Sequence, residues 1–395
     1  MKDPVRIVLR SGKDQSLKRY HPWVFSGAIK KIYGDPGEGD IVNVYSNQDE
    51  FLGTGHYQEG SIAIRILSFN EEEITGDFYL HRIKEAIAMR EKLGLSDERA
   101  INICRLVNAE GDGLPGLIID YYKGVAVMQF HSIGMHMHRD LLVRGLQEAL
   151  GDGLSAVYDK SAASLPSRYA SGYKNEYLLG FADPSVVKEH GNQFRVDWEG
   201  GQKTGFFIDQ RENRKLLGEY AAGRKVLNLF GYTGGFSVYA RQGGAEVVHT
   251  VDSSAHAVEM ANENMRLNFG KAHRHKGITA DAFEFLAGHG EAYDLMVLDP
   301  PAFAKHHNVL SNALQGYKRL NARAMEKIEP GGILFTFSCS QAVSREDFRK
   351  SVFAAAANTG RRVRIIHQLS QPADHPVSIY HPEGEYLKGL VLLVD

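Results

Sequence analysis

Two hydrophobic periods divide the chain. From about residue 191 onward, short apolar runs alternate with segments whose apolar residues fall three and four apart. The runs predict strands at 225–230, 247–252, 277–280, 295–299, 333–338, 363–368 and 389–394. The helical spacing predicts helices at 234–242, 254–268, 282–286, 310–328 and 344–358. Regular alternation of this kind predicts a parallel sheet covered by helices on both faces. No long helix separates the last two strands, so the final one is expected to run antiparallel. From residue 5 to about 68 the pattern is shorter and β-rich, with strands at 6–9, 41–45, 51–55 and 62–67, and it predicts a small barrel. An acidic stretch at 70–73 reads as a linker. Between about 74 and 190 a helix at 77–93, strands at 117–120, 125–130, 155–158 and 177–179 and a helix near 135–150 predict an α+β module. The expected domains are therefore 1–70, 71–190 and 191–395.

Bulk composition narrows the class. The 395 residues are 43% hydrophobic and 24% charged, which is ordinary for a globular protein. No apolar stretch is long enough for a membrane span. The first residues lack the apolar core of a signal peptide. Two cysteines exclude a disulfide framework and fit a reducing cytosol, so a cytoplasmic protein is expected. A net charge of −2 excludes a uniformly basic coat. One local basic patch stands out: Lys2, Arg6, Arg10, Lys13, Lys18, Arg19, Lys30 and Lys31 face only Asp3 and Asp14.

The candidate chemistry gathers at strand ends. Asn228-Leu229-Phe230-Gly231-Tyr232-Thr233-Gly234 carries a strand into a glycine turn and a helix. The order G-x-x-G-G differs from the dinucleotide fingerprint G-x-G-x-x-G. About 20 residues on, Asp252-Ser253 ends the next strand, where a carboxylate grips ribose hydroxyls. Turn and carboxylate together fit a nucleoside without a diphosphate, and S-adenosylmethionine is the expected cofactor. Asp281-Ala282 follows the third strand, as an adenine contact, a helix cap, or both. Asp299-Pro300-Pro301-Ala302-Phe303 is a stiff turn, because proline fixes its own φ and restricts its neighbour. Such a turn can present a carboxylate and the Phe303 ring to a flat base. Cys339, in Phe337-Ser338-Cys339-Ser340, ends another strand of the same sheet. Ligands of open parallel sheets bind beyond the carboxyl ends of the strands. Asp299 and Cys339 are thus expected to face one crevice, a pairing suited to covalent chemistry on an electron-poor ring. The other cysteine, Cys104, lacks such a setting and reads as structural. Phe207, Asp209, Arg211 and Arg214 lie in a segment that could cover the cofactor or contact RNA, and the two arginines read equally as surface helix cations. Lys305, with His306 and His307, reads either as a phosphate contact or as part of a solvated loop. No three histidines are spaced for a metal, and none is expected.

With these motifs in order, the chain from residue 203 to 340 resembles the class I methyltransferases. The whole chain resembles the large-subunit rRNA (cytosine-5-)methyltransferases with an N-terminal PUA domain. His21-Pro22-Trp23-Val24-Phe25-Ser26-Gly27-Ala28-Ile29 is similar to the PUA entry motif, and Arg105-Leu106-Val107-Asn108 through Asp120 to the signature of the central domain. The resemblance implies a Rossmann-like α/β catalytic domain with a seven-stranded, mostly parallel sheet, a β-barrel PUA domain and a central α+β domain. It also implies S-adenosylmethionine as methyl donor and large-subunit rRNA as partner, with Cys339 and Asp299 acting on a cytosine. Two departures stand out. Asn228 occupies a position where many class I members carry an acidic residue. Ala302 stands where several RNA cytosine-5 methyltransferases place a second cysteine. A methyltransferase acting on guanine or another substrate such as protein, with Cys339 structural, is the nearest rival. A nicotinamide-dependent oxidoreductase, disfavoured by the missing phosphate fingerprint, and a non-catalytic RNA-binding protein are further ones. Whether the chain forms a homodimer is left open.

Overall fold

The computed structural model describes residues 4–95, 100–271, 274–288, 290–303 and 310–395. The chain divides into two compact units. The first comprises Met1–Val187, Val196–Phe206 and Ala373–Gly384; the second comprises Lys188–Arg195, Phe207–Pro372 and Glu385–Asp395. The first expected domain and the second as far as Val187 therefore fall in one unit, together with Val196–Phe206 and a short segment from near the end of the chain.

The first unit opens with six strands, β1 (Val5–Leu9), β2 (Trp23–Phe25), β3 (Ile29–Tyr33), β4 (Ile41–Tyr45), β5 (Phe51–Tyr57) and β6 (Ile62–Ser68), and a short helix, α1 (Gln15–Lys18). Their order is β2-β6-β5-β4-β1-β3. The β1–β4 pair is parallel and the other pairs are antiparallel. Alternation does the work here: in β4 Val42 and Val44 are buried while their neighbours are half-buried. The hydrogen-bonded order ends at β2 and β3, yet apolar side chains from all six strands meet in one core cluster.

The same unit continues with α2 (Gly76–Lys92), β7 (Ile103–Asn108), β8 (Leu117–Tyr122), β9 (Val125–Phe130), α3 (Ile133–Met137), α4 (Arg139–Leu150), β10 (Ala156–Asp159) and β11 (Glu176–Leu179). Five of these make a sheet in the order β11-β10-β9-β8-β7. Phe78, Tyr79, Ile83, Ala86 and Arg90 form the buried face of α2, at helical spacing. The single helix expected near 135–150 is two helices that break at His138. That ring is held by Tyr79 Oη and His56 Nε2, each 2.9 Å from its Nδ1. The segment Ala373–Gly384 is fastened to this unit by hydrogen bonds. Arg90 donates to the Asp374 carbonyl (2.8 Å), the Arg105 amide to the Asp374 carboxylate (3.0 Å), and Asn108 to the Pro376 carbonyl (2.9 Å). His381 lies against the Trp23 ring, with centroids 4.4 Å apart. His21, His381 and Glu383 bring three ligating atoms within 4.8 Å of one another. The Trp23 amide donates to His21 Nδ1, so the His21 proton sits on Nε2, 3.4 Å from Glu383. Within the trio the hydrogen bond is His21 to Glu383, and His381 is held by packing against the His21 and Trp23 rings.

After a two-stranded ribbon, β12 (Ser185–Glu189) and β13 (Asn192–Val196), comes the α/β layer of the second unit. Its elements are α5 (Arg211–Glu219), β14 (Lys225–Leu229), α6 (Gly235–Gln242), β15 (Val247–Asp252), α7 (Ala255–Phe269), β16 (His275–Thr279), α8 (Ala282–Gly288), β17 (Tyr293–Leu298), α9 (Leu310–Lys327), β18 (Ile328–Ser338), α10 (Arg345–Thr359), β19 (Val363–Leu369) and β20 (Lys388–Val394). The seven strands run in the order β16-β15-β14-β17-β18-β20-β19. β16 to β18 are parallel, and β20 is antiparallel to both its neighbours, as expected. Leu227, Leu229, Met296, Leu298 and Leu334 join one core cluster, while Val226, Leu295, Val297, Ile333 and Phe335 join another. Successive residues thus feed opposite faces, and both faces are covered, which is why these strands read as continuous apolar runs. The chain order reverses between β14 and β17, which places a ligand crevice beyond their carboxyl ends.

Candidate active site

The turn after β14 is built around two residues in the left-handed region, Phe230 (φ 57°) and Tyr232 (φ 43°). Such backbone is costly for non-glycine residues and concentrates at ligand sites. Gly231 lies between them, where a Cβ would meet Thr250 Cγ2 at 2.3 Å, so no other residue fits. The Tyr232 amide donates to Asp252 Oδ2 and the Ser254 amide to Asp252 Oδ1, each at 2.9 Å. Asp252 is therefore fixed at the end of β15 and half-buried, and a carboxylate offers about four acceptor positions. Capacity remains for ribose hydroxyls. Asn228, beneath the turn, donates to Ser237 Oγ (3.0 Å), and its buried Oδ1 has no hydrogen-bond partner among the described residues. An acceptor in that condition suits a ligand cation such as a methionine amine. Thr233 is buried and its carbonyl accepts from Asn264 (2.9 Å). Asp281 caps α8, accepting from the amides of Phe283 (2.8 Å) and Glu284 (3.1 Å), and stays exposed beside Ala282. The glycine turn, the fixed carboxylate and the orphan acceptor fit S-adenosylmethionine.

The segment before α5 brings Phe207 to this turn. Its ring meets Tyr232 edge-on, with centroids 5.2 Å apart. Asp209 is buried and accepts from Tyr386 Oη at 2.8 Å. Arg211 and Arg214 are not RNA-facing surface cations. Both are buried on Glu189, which Arg214 grips with two nitrogens at 2.8 and 2.9 Å. Arg214 also donates to the Phe207 carbonyl (2.8 Å), so its role is to hold the turn that carries Phe207. Neighbouring sequence gave no sign of this, because Glu189 lies more than 20 residues upstream of Arg211.

At the ends of β17 and β18 the expected convergence is present. Cys339 Sγ donates to Asp299 Oδ1 at 3.8 Å, and both residues are half-buried. The parallel ladder explains it: Leu298 pairs with Thr336, so both chains leave the sheet at the same edge. Pro300 is buried and Pro301 exposed. Phe303 packs against Tyr317, with ring centroids 4.7 Å apart, so only its remaining surface could meet a base. Ser338 donates to the Tyr317 hydroxyl (2.9 Å), whose ionisation burial pushes up to about 12. Lys305 lies outside the described residues. Ser344 caps α10 with its own hydroxyl, which accepts from the Asp347 amide at 3.0 Å. The pattern reading missed a cation: Lys388, the first residue of β20, is buried and donates to the Ser340 carbonyl at 2.6 Å. Burial pushes its ammonium down to about 8, against the opposing pull of Cys339 and Glu385. The one available signal was a lysine at the head of an apolar run.

Comparison with known proteins places this geometry. The model of the S-adenosylmethionine-dependent methyltransferases matches residues 106–384, and that of the PUA-like domain matches residues 7–69. Ribosomal RNA large subunit methyltransferase I of Aeromonas salmonicida is 38% identical over 98% of this chain and 99% of its own. Its counterpart in Shewanella amazonensis is 40% identical over 99% of each chain. The chain belongs to this methyltransferase family. A solved structure from Streptococcus mutans, described as a SAM-dependent methyltransferase, aligns with a TM-score of 0.84 over 98% of this chain and 100% of that one, at 22% identity. Another methyltransferase structure, complexed with SAH, aligns at 0.85 with the same coverage and identity. These two show that the fold is shared along nearly the whole chain. The family's methyl donor, S-adenosylmethionine, is the cofactor of this protein. Among the described residues no helix is long and apolar enough to cross a membrane.

Proposed function

We propose that this protein methylates C5 of a cytosine in large-subunit ribosomal RNA through a covalent bond between Cys339 and C6. The observation that carries this reading is the Cys339–Asp299 pair, 3.8 Å apart at the sheet edge beside the glycine turn. Cytosine C5 is a poor nucleophile. When the Cys339 thiolate forms a bond to C6, the C5=C6 electron pair moves to C5 and makes it reactive. S-adenosylmethionine supplies the methyl group. Water takes the C5 proton, the C–H electron pair restores the C5=C6 double bond, and the S–C6 bond breaks to return the thiolate. Asp299 faces the pyrimidine edge opposite the attack: its carboxylate accepts from the N4 amino group, and its protonated form donates to N3. Phe207, Asn228, Asp252 and Asp281 hold the donor. The target base must leave its stack, at a cost of a few kcal/mol unless it is already single-stranded.

The test is methyl transfer from labelled S-adenosylmethionine to unmodified large-subunit rRNA, followed by nucleoside mass spectrometry. The expected product is 5-methylcytidine, absent with Cys339→Ala. A methylated guanosine, or 5-methylcytidine still formed by the alanine variant, would overturn the proposal.

A further inference from the structure

We propose that Lys388 is a positioning residue for Cys339: its ammonium holds the sulfur as a thiolate for attack and receives it again as the leaving group. The inference rests on the cytosine C5 reading above and supplies that reading with its missing cation.

Geometry places Lys388 on both sides of Cys339. Its backbone pairs with Ser338 across the antiparallel β18–β20 ladder. Its Nζ donates to the carbonyl of Ser340 at 2.6 Å. The residues before and after the cysteine are therefore both tied to one lysine. Gly389, next along β20, allows this approach, since a Cβ there would meet the Phe337 ring at 2.6 Å.

Charge supplies the second argument. Lys388 is only 3% exposed, and lysine is almost never fully buried without a partner. One carbonyl satisfies a hydrogen bond but leaves the charge uncompensated. Among the described residues, the charged and titratable groups that act on Lys388 are Cys339, Glu385 and Arg345. Glu385 and Arg345 pair with each other in partly exposed positions. Cys339 is the neighbour whose ionisation would answer the buried ammonium. From the other side, Cys339 faces Asp299 and the Tyr317 hydroxyl. A carboxylate beside the sulfur opposes a second negative charge, so a thiolate there needs a cation. Lys388 is placed to be that cation.

Ionisation sends the thiol proton to solvent and leaves the electron pair on sulfur. The ammonium keeps its protons throughout. Formation of the S–C6 bond removes the negative charge, and cleavage of that bond restores it beside Lys388. A thiol of lower pKa leaves faster. That matters here because residue 302 is alanine, so no thiol of this turn can assist departure.

The test uses the full chain. The thiolate absorbance of Cys339 is titrated, with the Cys339→Ala protein subtracting Cys104. The native midpoint is expected below about 8.5, the free-cysteine value. Lys388→Met is expected to raise it by about one to three units, and Lys388→Arg to restore most of that shift. The acidic limb of the pH–rate profile for methyl transfer should move with the midpoint. S-adenosylmethionine binding by each variant reports folding, and the native midpoint needs no change at Lys388. A purely structural lysine would lower activity without moving either midpoint. A native midpoint at or above 8.5, or an unchanged midpoint in folded Lys388→Met, would overturn the inference. A moved midpoint with methylated guanosine as product would keep the ion pair but remove its role in C6 addition, and the C5 reading would fail separately.

Discussion

Both units bury arginines against carboxylates, and they use them to different ends. In the first, Arg105 grips Asp120 at 2.5 and 3.1 Å and reaches Asn108 at 2.9 Å, while Thr204 donates to Asp120 at 2.6 Å. Arg90 grips Asp112 at 2.5 and 2.8 Å. These networks are turned inward, and their product is a defined architecture. Among its described residues the second unit has a network of this kind around Glu189. Its sheet edge is built differently. Asp252 and Asp281 accept backbone amides on one side and keep acceptor capacity on the other. Buried polar groups that are fully satisfied rigidify a fold, whereas those left open invite a ligand.

The largest effects should separate these two kinds of group. Cys339→Ala is expected to abolish methyl transfer while binding S-adenosylmethionine within about twofold of the native chain, because the thiol acts only after binding. Calorimetric titration with the cofactor, run beside the transfer assay, checks both halves; lost binding would mean the sulfur holds the fold together. Glu189→Ala should do the opposite. It strands Arg211 and Arg214 in the interior and should destabilise the second unit by about 3–5 kcal/mol, the usual cost of breaking a buried pair. Denaturant unfolding followed by hydrogen exchange in α5 and α6 would show it, and exchange unchanged there would mean Glu189 is not the anchor.

Asp252→Ala sharpens the comparison at the open edge. Loss of hydrogen bonds to a charged group costs about 1.5–3 kcal/mol, which is a weakening of S-adenosylmethionine binding by about 10- to 100-fold. Thermal stability without cofactor should change little. A large fall in stability with binding preserved would make Asp252 a structural group like Asp120.

The same contrast explains what could be read from sequence. Leu295–Leu298 of β17 is a continuous apolar run ended by Asp299-Pro300; β14, β15 and residues 333–338 of β18 are apolar enough, despite Asn228, His249, Thr250 and Thr336, for period to find them. The candidate carboxylates Asp252 and Asp299 were legible because they follow such runs. β2 and β3 escaped notice, since each buries few side chains: Val24 alone in the first, and only half-buried positions in the second. The ribbon β12–β13 went unseen for another reason: it alternates buried and half-buried positions, but polar Glu189 and Asn192 occupy buried ones and break the apolar pattern. Long-range pairing was out of reach altogether. Nothing near Arg214 points to Glu189, nothing near Lys388 points to Cys339, and nothing near Asp374 assigns residues 373–384 to the first unit. Local pattern reports which face is apolar; it does not report which distant polar group closes a network.

Acid should distinguish the units by the smallest effect per residue. In the first, burial pushes His56 well below its usual range, with His138 adding to the shift, and burial also lowers His138. His136 is pushed down to about 4 by burial and Arg139. In the second, His190 and His249 are lowered by burial too, but Glu212 and Glu291 pull the other way. A histidine with a lowered folded pKa binds fewer protons folded than unfolded below about pH 6.5, so stability is full above that value and falls as acid is added. At pH 5.5 a histidine pushed to about 4, as His136 is, removes on the order of 1 kcal/mol. Hydrogen exchange at pH 7.5 and 5.5, corrected for intrinsic rates, should therefore show α2, α3 and β5 losing more protection than β14, β17 and β18. Equal losses would mean that the His56–Tyr79–His138 cluster does not hold the first unit together, and the contrast between inward networks and an open edge would rest on the second unit alone.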